Sequence, residues 1–208
     1  FGFANILLSI IISHKPDYLA VAWDKRGPTF RHEAYTEYKA TRVAAPDELY
    51  AQIPLVKELV SAFTIPAFEA TGFEADDIIA TITALTASRT ELEVLVATGD
   101  FDIFQVVRKG VTILYPTKGF RAAEIFGADD VVKKYGIHPE QIPDYKGIAG
   151  DSSDNIPGVH GIGDKGAVSL LSEFGTLEKI YENLPKVRES LRKKLEASRE
   201  QAFMSKSL

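Results

Sequence analysis

The chain has 208 residues, of which 45% are hydrophobic and 25% are charged. This is an ordinary composition for a globular protein with a sizeable core. It contains no cysteine, which excludes disulfides and thiolate metal sites. The longest apolar run, residues 6–12, is too short to span a membrane, and no secretory signal pattern is visible. The formal net charge of −5 argues against a chain that is basic throughout, but it leaves room for a local basic surface.

Apolar periodicity divides the chain into an α/β part and a helical part. Helices are predicted over residues 3–14, 46–63 (core-facing) and 74–87, with a helical stretch through Val106 and Val107. Buried strands are predicted over residues 18–23, 92–97 and 111–115, with a further short strand at 65–69. A turn is predicted at 119–121. This β-α-β-α order predicts a parallel sheet with helices on both faces over residues 1–127.

From residue 128 onward the pattern predicts helices only. They cover residues 129–135, 139–149, 166–174, 176–183 and 186–202. We therefore divide the chain into an α/β core at 1–127 and a helical region at 128–208.

Acidic residues mark four places in this pattern. One follows the first buried strand, two follow the strand at 92–97, three open a helix and two lie in a polar loop. They are Asp24; Asp100 and Asp102; Glu74, Asp76 and Asp77; and Asp151 and Asp154. Ligands of open α/β sheets bind beyond the carboxyl ends of the strands. Eight carboxylates are enough to hold two hard cations, which would stabilise the attacking and leaving oxygens of a phosphodiester displacement.

Simpler explanations exist for the same acids when each group is taken alone. Thr71 and Glu74 fit a capping box, and acids in a first turn suit the helix dipole. Asp24 is equally suited to the start of a solvated loop. The four histidines are scattered and do not form a zinc pattern, and no G-x-S-x-G motif is present.

A basic stretch covers residues 25–45 and is interleaved with aromatic residues. Its basic members are Lys25, Arg26, Arg31, His32, Lys39 and Arg42, and its rings are Phe30, Tyr35 and Tyr38. Basic groups pair with phosphates and flat rings stack on unpaired bases. A solvated surface helix is the simpler interpretation, but the position directly after Asp24 favours a functional lid.

A glycine-rich loop at residues 156–165 opens a helix. It fails as a Walker A motif because Asp164 stands where lysine is required. Gly161 and Gly163 leave backbone N–H groups at a helix N-terminus, where they can hold a phosphate, and Lys165 adds positive charge. A plain helix–turn–helix corner explains the same residues.

Six short motifs together resemble a known family. They are WD at 23–24, FRHEAYTEYKATR at 30–42, FEADD at 73–77, TGDFD at 98–102, GDSSDNIPG at 150–158 and GIGDK at 161–165. In this order they resemble the 5′ nuclease domains of bacterial DNA polymerases I, members of the flap endonuclease family. The resemblance covers nearly the whole chain. Each motif alone is modest, whereas their common order is specific.

The resemblance implies a fold and an activity. The fold is a PIN-like 5′ nuclease core followed by a helix–two-turn–helix DNA-binding region. The activity is a Mg²⁺-dependent 5′–3′ exonuclease and flap endonuclease, with Mn²⁺ as a substitute, that removes RNA primers and flaps in replication and repair. The implied substrate is branched or nicked duplex DNA. The implied setting is the bacterial cytoplasm at the nucleoid, as a monomer, with room for a polymerase domain in the parent chain and no membrane partner.

The resemblance also assigns roles to residues. Asp24, Glu74 and Asp76 would form the first metal site, Asp100, Asp102, Asp151 and Asp154 the second, and Asp77 would lie beside both. Arg31, Tyr38, Lys39 and Arg42 would form an arch over the 5′ strand. Gly161, Gly163 and Lys165 would begin the element that grips duplex backbone, where some relatives also hold K⁺. No side chain is assigned as a general base.

Two departures from the family pattern stand out. The family has an N-terminal strand that carries another metal-site Asp, whereas this sequence opens without Met inside an apolar helical pattern. We therefore expect one metal ligand and part of the core to be missing. In addition, Phe101 stands where relatives commonly have Lys, which removes a charge but no carboxylate.

Three alternatives remain open at this stage. The chain could bind branched DNA yet cleave it poorly without the first strand. The Asp100-x-Asp102 pattern after a strand is also typical of a haloacid-dehalogenase-like phosphatase, although that scheme leaves the basic stretch and the glycine loop unexplained. A compact PIN-type nuclease acting on RNA would not need the helices after residue 128.

Overall fold

The computed structural model describes residues 1–86, 89, 91–117 and 122–208. The predicted turn at 119–121 and the predicted helix end at Ala87 lie outside these residues. Within them, no helix combines the length and the hydropathy that a membrane crossing needs.

The first part of the chain alternates helices with two very short strands. The elements are α1 Gly2–His14, β1 Val21–Ala22, α2 Phe30–Ala34, α3 Asp47–Ala62, β2 Ala67–Phe68 and α4 Ala75–Thr86. Strands β1 and β2 pair in parallel, with Val21 opposite Ala67. The parallel pairing that the β-α-β order predicted is confirmed here.

A second sheet follows α4. It consists of β3 Val94–Ala97, β4 Val111–Thr117 and β5 Ala122–Phe126, with a 3-10 helix, Asp102–Val106, between β3 and β4. Strands β3 and β4 pair in parallel, as predicted, whereas β4 and β5 are antiparallel. The sequence analysis did not identify β5 as a strand. Its short connection to β4 allows only antiparallel pairing, because a parallel crossover needs a dozen or more residues.

The remaining elements are helical. They are α5 Ala128–Tyr135, a 3-10 turn Pro139–Gln141, α6 Ile142–Ala149, α7 Asp164–Phe174, α8 Leu177–Glu182, a 3-10 turn Leu184–Lys186, α9 Glu189–Ala197 and α10 Arg199–Ser207. Helix α6 packs against α7 and α10. Gly147 permits this approach, because a Cβ there would lie 2.9 Å from Cβ of Lys206 and 3.0 Å from the Ala202 carbonyl.

Three predictions about these elements were wrong. The apolar run at 18–23 contains only two strand residues, and Tyr18 is 83% exposed. Helix α3 buries Val60 but leaves Leu49 and Ile53 exposed, so it is not core-facing along its length. The single helix predicted over 186–202 is divided at Ser198, where the Ser198 N–H bonds to the Leu195 carbonyl three residues back and tightens the last turn of α9.

The main core begins at β3 and extends to α10. Phe104 of the 3-10 helix is fully buried in it, between Phe126 of β5 and Tyr135 of α5. Helix α4 contacts both β1 and β3. The N-terminus of α4 and the carboxyl ends of these two strands therefore face a common region.

Candidate active site

Acidic side chains themselves build the start of α4. Asp24 Oδ1, just beyond β1, accepts a hydrogen bond from Ala75 N at 2.8 Å, and Asp77 Oδ2 accepts one from Glu74 N at 2.8 Å. These carboxylates satisfy backbone N–H groups that a helix start leaves free. The capping box that Thr71 and Glu74 fit is therefore wrong. Helix α4 begins at Ala75, and it is the Asp77 carboxylate that accepts the backbone hydrogen bond, from Glu74 N.

The acids after β3 adopt a similar local arrangement. Asp100 Oδ1 accepts a hydrogen bond from Asp102 N at 3.0 Å, and Asp100 N donates to Thr98 Oγ1 at 3.0 Å. Asp100 thus lies at the start of the 3-10 helix that contains Asp102. As predicted for an open α/β sheet, both acids sit at the carboxyl end of the strand.

Asp151 and Asp154 lie in a tight acid loop, residues 150–156. The backbones of Asp151 and Ile156 exchange two hydrogen bonds of 2.7 Å. Asp151 Oδ1 accepts from Ser153 N at 2.8 Å and from Ser153 Oγ at 2.6 Å. Although burial opposes it, the hydrogen bonds from Lys146 and Ser153 lower the pKa of Asp151 to about 2.

The basic stretch folds over these acids and pairs with them. Arg31 donates to both oxygens of Asp77, at 2.8 Å each. Lys39 Nζ donates to Glu74 Oε1 at 2.7 Å. Arg42 Nη2 pairs with Asp154 of the acid loop. We call residues 25–45 the basic lid. Three of its four predicted DNA-binding residues each form an ion pair with a carboxylate of the site.

Tyr38 is the fourth predicted DNA-binding residue of the basic lid, and its side chain is buried against the acids. Its side chain is 4% exposed, and its hydroxyl lies 3.1 Å from Glu74 Oε2 and 3.2 Å from Asp154 Oδ2. Burial and the charges of these two carboxylates raise the pKa of Tyr38. The ring is covered in this conformation, so the expectation that it stacks on an unpaired base does not fit the structure.

Lys146 of α6 belongs to the site although the sequence analysis did not single it out. Its Nζ lies 2.7 Å from Asp102 Oδ1 and also pairs with Asp151 Oδ2. It lies 5.6 Å from the centre of the Phe101 ring. Although burial opposes it, the two carboxylates raise the pKa of Lys146. The available signal was a lysine near the end of a predicted helix that leads into the acid loop.

Asp76 lies where the acids from different elements meet. Burial, followed by the charges of Asp100, Asp24, Glu74 and Asp102, raises the pKa of Asp76 to about 7. Burial also raises the pKa of Asp102, against the effect of Lys146. Asp102 Oδ1 is buried and, despite the close Lys146 ammonium, receives no aligned hydrogen bond.

These acids do not form a compact ligand cage. Among the described residues, no group of three or more His, Cys, Asp or Glu side chains is arranged to hold a metal ion. The reason is visible in the pairing, because Arg31, Lys39, Arg42 and Lys146 draw five carboxylates toward their own charges. The donor set nevertheless fits a hard cation, since it offers carboxylate oxygens only, one of them buried without an aligned donor.

The glycine-rich loop predicted at 156–165 is shorter in the structure, because α7 already begins at Asp164. We call residues 157–163 the glycine loop. Gly163 is the N-cap of α7 and has no side chain to satisfy the first amides. Gly161 adopts φ +77°, a conformation that glycine tolerates readily. Lys165 is exposed in the first turn. Gly161, Gly163 and Lys165 therefore lie together at one helix start, as predicted.

Known proteins share both parts of this architecture. A family model described as 5′–3′ exonuclease, N-terminal resolvase-like domain, matches residues 1–136, and one described as 5′–3′ exonuclease, C-terminal SAM fold, matches residues 137–208. The chain belongs to the 5′–3′ exonuclease family. Family membership confirms the resemblance and the predicted fold class, and it removes the reason for the phosphatase alternative. The domain boundary at 127/128 stays a prediction.

The relatives of this 5′–3′ exonuclease chain include longer proteins. The DNA polymerase I of Caldicellulosiruptor bescii is 46% identical over 210 residues, which cover 100% of this chain and 25% of that protein. The DNA polymerase I of Bacillus subtilis is 43% identical over 209 residues, with 100% and 24% covered. The chain therefore spans about a quarter of the length of the curated relatives it matches.

Solved structures support the same family assignment. The bacteriophage T5 5′-exonuclease, solved with bound zinc, matches with a TM-score of 0.82 and 27% identity, covering 99% of this chain and 78% of that one. The bacteriophage T5 flap endonuclease, solved with DNA and metal ions, matches with a TM-score of 0.79 and 27% identity, covering 99% and 79%.

Proposed function

We propose that this chain hydrolyses phosphodiester bonds at 5′ ends and 5′ flaps of branched or nicked duplex DNA. In this role it is a metal-dependent 5′–3′ exonuclease and flap endonuclease for RNA-primer removal and repair. One observation carries the proposal most directly. Carboxylates from the ends of β1 and β3 and from the start of α4 converge on Asp76, and burial together with their charges raises the pKa of Asp76 to about 7. Such crowding at strand ends is typical of a site that divalent cations complete.

The donor chemistry supports Mg²⁺, with Mn²⁺ as a substitute, because hard cations take oxygen ligands. Asp24, Glu74 and Asp76 would hold the first ion, Asp100, Asp102, Asp151 and Asp154 the second, and Asp77 would lie beside both. When bound, two such ions supply stabilisation of the attacking and leaving oxygens of the displaced phosphodiester. The bound metal ions of the T5 structures support a divalent cation at this family's site.

The basic lid would position the 5′ strand. Arg31, Lys39 and Arg42 each hold a carboxylate, and phosphate oxygens are equivalent acceptors for the same groups. Phosphates of an incoming strand can therefore replace the carboxylates as partners of these three cations. Glu74, Asp77 and Asp154 then lose their ion pairs with the lid. In this scheme Tyr38 orients Glu74 and Asp154 through its hydroxyl and does not stack on a base.

The helical region would grip the duplex. Gly161, Gly163 and Lys165 present backbone N–H groups and one ammonium at the start of α7, which suits a phosphate without reading sequence. We further propose that this helix–two-turn–helix element binds K⁺, as the resemblance implies. The DNA-bound T5 relative supports a DNA substrate. The relatives named DNA polymerase I support a parent chain that also carries a polymerase domain. We propose that the chain acts as a monomer in the bacterial cytoplasm at the nucleoid.

The test is cleavage of a labelled 5′-flap duplex with Mg²⁺, with and without EDTA, by the wild-type chain and by the double variant Asp76→Ala/Asp102→Ala. We expect chelator-sensitive cleavage near the flap junction by the wild type. The double variant should lose that cleavage, since both proposed ion sites lose a ligand, while it still binds the duplex. Asp129→Ala, an exposed acid of α5, is the matched control.

Each contrary outcome has a definite meaning. Cleavage retained by the folded double variant would contradict the metal assignment. Duplex binding without any cleavage by the wild type would favour the binding-module alternative.

A further inference from the structure

The acid loop and the glycine loop lie back to back at two glycines. A Cβ on Gly158 would lie 2.3 Å from Gly150 N, and a Cβ on Gly150 would lie 2.5 Å from the Ile156 carbonyl oxygen. Both glycines also adopt positive φ, at +61° and +75°. Only residues without a side chain allow this approach. The loop that carries Asp151 and Asp154 is therefore in direct backbone contact with the loop that would grip the duplex.

Side chains of the last two helices, α9 and α10, form hydrogen bonds with the backbone of the glycine loop. Lys194 Nζ of α9 donates to the Gly161 carbonyl at 2.7 Å, and Gln201 Nε2 of α10 donates to the Gly158 carbonyl at 2.7 Å. Gly158 N donates to the hydroxyl of Ser205, also on α10, at 3.1 Å. Side chains from two helices thus bind backbone groups at both ends of one short loop.

The Lys194 contact is closely fitted. A Cβ on Gly161 would lie 3.1 Å from Lys194 Nζ and 3.3 Å from its Cε, so the lysine lies flat against the glycine. Helix α10 in turn packs along α6, the helix that carries Lys146 into the acid cluster. The helix pair therefore touches both the duplex-gripping loop and the framework of the acids.

We propose that Lys194, Gln201 and Ser205 are positioning residues that set the distance between the duplex grip and the acid cluster, and thereby select which phosphodiester is cut. The inference rests on the proposed nuclease function. Successive nucleotides of one strand of duplex DNA are separated by about 3.4 Å along the axis. A glycine loop that shifts by a few ångströms would therefore present a neighbouring phosphodiester to the acids, and smaller shifts would lower the rate.

The experiment compares Lys194→Met with Lys193→Met. Both remove one positive charge from α9, but Lys193 points outward, is 71% exposed and pairs with Glu189 at 2.7 Å. Products from a labelled 5′-flap duplex are resolved at single-nucleotide level, and KM and kcat are measured. For Lys194→Met we expect products spread over adjacent phosphodiesters and a KM raised about 3- to 10-fold, the range that the loss of one hydrogen bond gives. For Lys193→Met we expect the wild-type product and less than a 2-fold change in KM.

Two further variants distinguish positioning from stability. Gln201→Leu removes the second bond to the loop and should spread the products in the same way. Lys194→Arg keeps a donor for Gly161 and should restore the single wild-type product. Thermal melting of each variant verifies that it is folded.

Three results would overturn the inference. The first is an unchanged product distribution in folded Lys194→Met and Gln201→Leu, with or without a lower melting temperature. The second is an equal spread of products from Lys193→Met, which would show that charge alone matters. The third is a wild-type chain that neither binds nor cuts the flap duplex, which would contradict the proposed function and this inference together.

Discussion

Residues 1–86 and the described residues from 94 onward, 94–117 and 122–208, are packed very differently. The main core contains side chains from Val96 to Ala202, and in it Leu171 is 1% exposed. The earlier region buries few apolar side chains, such as Leu7 and Val60, and leaves many exposed, including Leu55 at 62%. The two regions have similar apolar periodicity in the sequence, so periodicity alone does not show how deeply a helix is buried.

The contacts between the lid and the acid loop join the two regions through polar groups. Lys39 N donates to the Asp154 carbonyl at 2.9 Å, and Asn155 Nδ2 donates to the Glu37 carbonyl at 2.7 Å. Arg42 and Tyr38 add side-chain contacts to Asp154. At this junction, hydrogen bonds and ion pairs of the active-site residues hold the two regions together, whereas apolar packing does so within the main core. The protonation and pairing of these acids should therefore affect stability as well as catalysis.

The largest expected effect on stability is the difference between two leucine-to-alanine substitutions, one in each region. Leu171→Ala should lower the free energy of unfolding by about 3 kcal/mol, since it removes a buried side chain and leaves a cavity. Leu55→Ala, on the exposed side of α3, should change it by less than about 0.5 kcal/mol. Urea denaturation followed by circular dichroism measures both. Similar losses for the two variants would show that α3 is buried in solution.

A pH-dependent effect should follow at Asp76. Its pKa in the folded chain, about 7, lies above the unfolded value near 3.9. Protonated Asp76 is therefore tolerated at low pH, and stability is lost as pH rises through 7. Asp76→Asn cannot ionise, so in EDTA at pH 8 we expect it to be more stable than the wild type by about 2 kcal/mol, after allowance for partial solvent screening.

The same variant should show only about a third of that stabilisation at pH 5, where Asp76 is protonated in the folded chain but already largely ionised in the unfolded chain, and almost none below pH 3.9. Urea denaturation at both pH values provides the measurement, and Asp129→Asn serves as an exposed control. An equal stabilisation by Asp76→Asn at pH 5 and pH 8 would mean that ionisation of Asp76 beside the other carboxylates does not destabilise the wild type.

The smallest effect should come from the hydroxyl that joins the two regions. Tyr38→Phe keeps the buried ring but removes the group between Glu74 and Asp154. We expect a loss of about 1–2 kcal/mol in the free energy of unfolding, because hydrogen bonds to charged groups are lost. Tyr18→Phe, at an 83% exposed position, should be neutral. A Tyr38→Phe variant as stable as the wild type would show that this hydroxyl does not stabilise the junction.

Much of the site could be predicted from local patterns. Acids directly after β1 and β3, acids at the start of α4 and glycines before α7 were all recognisable, because each pattern lies within a few residues and strand ends collect ligands. Their common order also identified the family, which the matching family models confirm. The antiparallel β5 was missed because a short apolar segment fits more than one element. The break at Ser198 was missed because no glycine or proline marks it in the sequence.

The sequence by itself therefore determined the family, the α/β-then-helical order and the identity of the clustered acids, since these depend on residue type and local spacing. Only the tertiary structure decided which cation faces which acid. Tyr38 and Asp154 are 116 positions apart, and Lys39 and Glu74 are 35 apart. It also brought Lys146 between Asp102 and Asp151 and placed Lys194 against Gly161. Such pairings depend on how distant elements pack, and no periodicity or local motif records that.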